Sequence, residues 1–154
     1  MMNLQESFKL EAIIWAEEKV RYLHRGVSKF GCDCTGLIIG IARSLGYLGA
    51  YKLRIYAPDW NKHTGAGDYI REELEKVANE IPKNETAPGD ILVFKWGNCL
   101  AHVGILIDKN NGKFIHNFEE SNGCCYAILK NSGYEKRWKT SYRLDPIKME
   151  KFNG

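Results

Sequence analysis

Gly31-Cys32-Asp33-Cys34-Thr35-Gly36, followed at once by Leu37, Ile38, Ile41, Ala42 and Leu45, sets a cysteine at the start of an amphipathic helix. The apolar residues recur at helical spacing. Asp33 is a good N-cap residue, so Cys34 falls in the first turn, where unpaired backbone N–H groups and the helix dipole favour a negative sulfur. The thiolate is the nucleophilic form of cysteine, and its pKa, about 8.5 when free, drops at helix starts or beside an imidazolium. The Asp33 carboxylate works against that drop. A buried cysteine capping a core helix fits the same residues, so the stretch alone leaves nucleophile and structural cysteine both open.

Outward from this helix, Phe8, Ala12, Ile13, Ala16, Val20 and Leu23 predict an amphipathic helix over residues 4–22, ended by Gly26. The cysteine helix is expected to stop near Gly46, with Gly49 marking the turn. Residues 51–63 are expected to be irregular, since Pro58 forbids a central strand, and Gly65-Ala66-Gly67 breaks the chain again. A third helix is expected from Asp68 as N-cap, turning Ile70, Leu74, Val77, Ala78 and Ile81 inward until Pro82.

Pro88-Gly89-Asp90 reads as a turn, and after it the periodicity changes from helical to strand-like. Residues 91–96, 101–107 and 113–118 are three short strands, with 124–129 and 138–144 as two more. Residues 145–154 read as a polar tail. Helices first and an antiparallel sheet second predict one α+β domain over residues 1–144.

The composition is that of an ordinary globular chain: 154 residues, 44% hydrophobic and 27% charged. A net charge of +3 without a basic run argues against nucleic acid as a partner. Glu6, Lys9, Glu11, Glu17 and Glu18 interrupt the first twenty residues, so no signal peptide is expected there, and no segment is apolar enough to span a bilayer. Synthesis in the cytoplasm is the expectation. Five cysteines, at 32, 34, 99, 124 and 125, lack the paired spacings of a disulfide framework or a zinc or iron–sulfur site, so free thiols and no metal are expected.

A cysteine nucleophile needs a base within hydrogen-bond reach, and the base needs a group to hold its ring. Two histidines lie on predicted strands, His102 in Leu100-Ala101-His102-Val103-Gly104-Ile105 and His116 in Phe114-Ile115-His116-Asn117-Phe118. Their numbers share parity. If residues 108–112 form the loop, Gly104 faces His116 and the two histidines are diagonal neighbours on one face, about 7–8 Å apart along the backbone. Val103, Ile105 and Ile107 then point to the other face. Taken singly, each histidine also fits a satisfied structural residue of an apolar strand. His24, close in sequence to the cysteine, is a rival for the base, and His63 lies in a loop-like context.

These residues, in this order, resemble the NlpC-type family of papain-like bacterial cell-wall peptidases. The likeness rests on Asp33-Cys34-Thr35-Gly36-Leu37, on Ala87-Pro88-Gly89-Asp90-Ile91-Leu92, on His102-Val103-Gly104-Ile105 and on Phe114-Ile115-His116, and it covers residues 22–118. Thr35 stands where serine is usual and keeps the hydroxyl. The resemblance implies a papain-like α+β fold, with the cysteine helix packed on a central antiparallel sheet. It implies hydrolysis of peptidoglycan stem peptides after γ-D-glutamate with no cofactor, Cys34 as nucleophile, His102 as base and His116 orienting it. Tyr22, twelve residues before Cys34, matches a tyrosine that assists the oxyanion hole, and Asp33 and Thr35 are assigned to substrate binding.

A narrower likeness is to the subgroup found in phage tails and gene-transfer agents. It rests on the Cys-Asp-Cys start, Tyr56-Ala57-Pro58-Asp59-Trp60 and Phe94-Lys95-Trp96, and implies phage-tail proteins as partners and delivery to the wall on a tail. Three other readings use the same residues: an acyltransferase or toxin-like amidase on this scaffold, a silent tail-assembly or wall-binding subunit, and a redox role for Cys32-Asp33-Cys34. The redox reading gives the histidines no task.

Overall fold

The computed structural model of this chain describes residues 2–53 and 69–154. Tyr56-Ala57-Pro58-Asp59-Trp60, His63, Gly65-Ala66-Gly67 and the expected Asp68 cap lie outside them.

Helix α1 spans Leu4–Glu17, capped by the Asn3 side chain on Glu6 N at 2.9 Å, and buries Phe8, Ala12, Trp15 and Ala16. It ends five residues earlier than the apolar stripe predicts. Lys19 takes a left-handed φ of 52°, and the chain beyond it spends its backbone groups on other elements. Arg21 O accepts from Cys32 N and Val20 O from Cys124 N. A two-stranded hairpin follows, β1 (Val27–Ser28) with β2 (Gly31–Cys32), and leads into α2 (Cys34–Ser44).

Helix α3 covers Tyr69–Glu75, and Ala78–Ile81 is strand β3, where a single longer helix was expected. The i, i+3, i+4 spacing of Leu74, Val77, Ala78 and Ile81 is compatible with both. The ladder that residues 78–81 make with the far end of the sheet decides for the strand.

The strands β4 (Ile91–Trp96), β5 (Cys99–Asp108), β6 (Lys113–Phe118), β7 (Gly123–Ile128) and β8 (Trp138–Leu144) form, with β3, an antiparallel sheet in the order β3-β8-β4-β5-β6-β7. All five expected strands are present, β5 longer and β7 shifted by one residue. The turn before β4 is held by Asp90, fully buried, which accepts from Ala87 N at 2.9 Å and pairs with Arg143 through two contacts of 2.9 and 2.8 Å.

Each face of the sheet has its own apolar layer. Val93, Val103 and Ile105 join Trp15, Leu37 and Ile41 on the helix side. Leu92, Phe94, Leu106, Phe114 and Leu129 fill the other side, covered by Tyr134 of the short helix α4 (Gly133–Arg137). Residues 145–154, expected as a polar tail, instead dock. Helix α5 (Pro146–Met149) is capped by Asp145 and buries Met149 completely, and Phe152 sets its ring edge-on to Tyr51 at 5.1 Å.

Candidate functional site

The α2 start is built as local capping dictates. Asp33, 4% exposed, accepts from Gly36 N at 2.8 Å and from the Thr35 hydroxyl at 3.2 Å through Oδ1, and from Arg25 N at 2.9 Å through Oδ2. The resemblance assigns Asp33 to substrate, but its carboxylate is buried and engaged as the cap, which makes it a scaffold for the loop. Gly36 makes this possible. A Cβ there would lie 1.7 Å from Gly26 O and 2.9 Å from Asp33 Oδ1. Gly36→Ala should therefore cost about 3 kcal/mol, a melting temperature about 6–12 °C lower. A loss under about 2 °C by circular dichroism would show that the loop yields and that the contact is not binding.

Cys34 is partly exposed in the first turn of α2, and its sulfur is within reach of the backbone N–H groups of Thr35 and Val103. The second of these brings the thiol to β5, at the residue that follows His102 in the chain. Burial pushes the thiol up to about 12, Asp33 adds to the rise, and the two N–H groups oppose it. Desolvation thus outweighs the helix-start effect expected from sequence, and the resting thiol is neutral.

The histidines meet as their parity predicts. Ile105 pairs with Ile115 and Leu106 with Phe114, the register that, extended by one residue, sets Gly104 opposite His116. His102 Nε2 and His116 Nδ1 are 2.8 Å apart, in buried surroundings at 4% and 2% exposure. One of the two nitrogens carries the proton of that bond, and Nδ1 is the other ring nitrogen of His102. Phe94, Trp96 and Phe118 surround the His102 ring, with centroids 5.8, 5.8 and 5.1 Å away. Burial, then the His116 charge, hold the His102 pKa well below the usual imidazole range, and burial lowers His116 to about 4.

Tyr22 forms an isolated parallel bridge with Cys32 and is half-buried. Burial first, then the Asp33 charge, raises its pKa, so the hydroxyl keeps its proton and remains a donor. Thr35 lines a cavity of about 40 Å³ with Val103, Tyr51 and Glu73. Glu73, which the sequence reading did not single out, is 7% exposed and accepts from the Tyr51 hydroxyl at 2.5 Å and Lys76 Nζ at 2.8 Å. His24, the rival base, has Nδ1 3.9 Å from Asp33 Oδ2. Cys32, Cys34, Cys124 and Cys125 are free thiols. Among the described residues no group of three or more His, Cys, Asp and Glu side chains is arranged to hold a metal ion, and no helix is long and apolar enough to cross a membrane.

The NlpC/P60 family model matches residues 19–143. The chain is similar to the murein DD-endopeptidase MepS/murein LD-carboxypeptidase of Escherichia coli (strain K12), 24% identical over 125 residues that make up 81% of this chain and 56% of that protein. It is also similar to the gamma-D-glutamyl-L-lysine dipeptidyl-peptidase of Bacillus subtilis (strain 168), 26% identical over 118 residues, 75% of this chain and 33% of that one. The matched regions thus span about half and one third of those relatives. In fold it is similar to a lipoprotein-like NLP/P60 family protein from Staphylococcus aureus, with a TM-score of 0.62 and 20% identity over 92% of this chain and 41% of that chain.

Proposed function

Because this chain belongs to the NlpC/P60 family, we propose that it is a cysteine peptidase that hydrolyses amide bonds in the stem peptides of peptidoglycan, after γ-D-glutamate. The observation that carries the reading is the buried His102–His116 pair at 2.8 Å, set beside a thiol that reaches the Val103 amide. The relatives' names, a murein endopeptidase and a γ-D-glutamyl-L-lysine dipeptidyl-peptidase, support the substrate class.

On this reading, Cys34 attacks the scissile carbonyl as His102 Nδ1 takes the thiol proton. His116 Nδ1 accepts from His102 Nε2–H, which leaves Nδ1 of His102 unprotonated and aimed as the base. The Cys34 N–H and the Tyr22 hydroxyl hold the oxyanion, an effect worth about 3–4 kcal/mol per donor. The imidazolium then protonates the leaving amine. Water attacks the thioester carbonyl, giving up its proton to His102, and the carboxylate product leaves as Cys34 regains a proton. Thr35 contacts the substrate beside the nucleophile. The enzyme acts at the cell wall, delivered on a phage tail, a placement supported by the Cys-Asp-Cys start and the Phe94-Lys95-Trp96 strand end.

Purified peptidoglycan digested under reducing conditions should release soluble fragments, and mass spectrometry should find new carboxyl termini at γ-D-glutamate. Fragments carrying an added amine in place of water would assign acyl transfer. No fragments from walls of several chemistries would overturn hydrolysis and leave a binding or assembly role.

A further inference from the structure

Asn117 follows His116 in β6 and is completely buried. Successive strand residues face opposite sides, so its side chain points away from the histidine pair. It reaches the segment that carries Tyr22. Nδ2 lies 3.3 Å from Val20 O, 3.3 Å from Arg21 O and 3.2 Å from Cys32 Sγ. Three acceptors thus converge on an amide nitrogen with two hydrogens. The neighbours fix the amide's orientation, because the flipped group would aim Oδ1 at two carbonyl oxygens. Oδ1 is buried with no hydrogen-bond partner among the described residues. An apolar side chain of similar volume would avoid that penalty, so stability alone gives a poor account of an amide here.

The segment it grips is held on both sides. Cys124, opposite Asn117 in the ladder, donates its N–H to Val20 O at 2.7 Å. Cys32 N donates to Arg21 O and Leu23 N to Cys32 O, both at 3.0 Å. Tyr22 rides on this strap, and Cys32 leads through Asp33 to Cys34. The Asn117 side chain therefore joins three pieces of chain: β6 with His116, the strap with Tyr22, and the strand that delivers Cys34.

We infer that Asn117 is a positioning residue whose amide sets the strap carrying Tyr22 and the strand leading to Cys34 relative to the histidine pair. This rests on the peptidase reading. A misplacement of about 1 Å in such groups is enough to cost on the order of 100-fold in rate. Asn117→Leu keeps the branching of the side chain and removes both the donors and the orphan oxygen. Its kcat should fall roughly 10- to 100-fold with KM within about twofold, because the oxyanion donors act in the transition state and not in substrate binding. In a Tyr22→Phe background the same change should cost far less, since the hydroxyl that it misplaces is already gone.

A readout without substrate separates this inference from the peptidase reading. Iodoacetamide labelling of Cys34, located by tandem mass spectrometry across pH, should change in rate by more than about threefold in Asn117→Leu as the thiol's surroundings shift. Cys32→Ala, which removes one of the three acceptors, should show a smaller change in the same direction and stands as the test if Asn117→Leu does not fold. If the wild type cleaves no wall while Asn117→Leu shifts the labelling, the peptidase reading falls and the positioning role stands. A folded Asn117→Leu with kcat within twofold of wild type and a superimposable labelling profile would overturn the inference, whatever its melting temperature. So would a Cys32→Ala protein unchanged in both.

Discussion

Cys34→Ala should release no detectable muropeptides, a loss of about 10⁴-fold or more in kcat, while the protein melts within a few degrees of wild type. The loss is large because the remaining parts, the oxyanion donors and the histidine pair, have nothing to deliver to the carbonyl, and members of such a unit fail together. The fold survives because the cap at this helix start belongs to Asp33 and Gly36 N, not to the thiol. Purified variant and wild type are compared on the same sacculi, with circular dichroism as the control for folding. Cleavage above about 1% of wild type, outside the range left when a nucleophile is lost, would place the nucleophile elsewhere. The other thiols offer poor substitutes. Cys32 and Cys124 are buried, and the Cys32 sulfur is taken up by Asn117.

What local chemistry determines was legible. The α2 start follows from Asp33 capping a residue three positions on, and the histidine pair follows from a period of two and a short loop. What distant contacts determine was not. The apolar stripe of α1 runs past Glu17, but residues 20–21 are claimed by Asn117 and Cys124, about a hundred positions away. Residues 78–81 have helical spacing and become a strand because β8 offers an edge. Met149 and Phe152 dock a segment whose composition reads as polar. The Cys34 thiol shows the same conflict in its electrostatics. The helix start argues for a lowered pKa, yet burial beneath β5, invisible at the level of the motif, raises it. Asn117 left no signal beyond its place after His116. Its meaning lies wholly in the chain that folds back onto it.

His102→Ala should reduce kcat about 10³- to 10⁴-fold, and His116→Ala by about 10- to 100-fold, because proton transfer is worth more than holding the ring that performs it. His116→Gln, which keeps a side-chain acceptor, should recover part of the second loss. Equal losses for the two alanine variants would undo the division of roles. The pH profile separates this mechanism from one that starts with a preformed thiolate–imidazolium pair. His102 must be neutral to act as base, and burial together with the His116 charge keeps its pKa well below 6.5. The acid limb of kcat/KM for wild type should therefore lie below pH 6.5, with activity at pH 6 still close to the plateau. In His116→Ala, with the neighbouring charge removed and water admitted, the limb should move upward. A wild-type limb at or above pH 6.5 would favour the ion pair instead. The same shifts limit how far down the profile can be followed. Both histidines have folded pKa values below their unfolded ones, so the stability gained by keeping them neutral is present above about pH 6.5 and is lost as the pH falls towards His116's value of about 4. The His116 share of that loss is about 3–4 kcal/mol, at roughly 1.4 kcal/mol for each pKa unit. Rates measured near pH 5 thus require a parallel melting curve, so that loss of rate through unfolding is told apart from loss through His102 accepting a proton in the molecules still folded at the assay temperature.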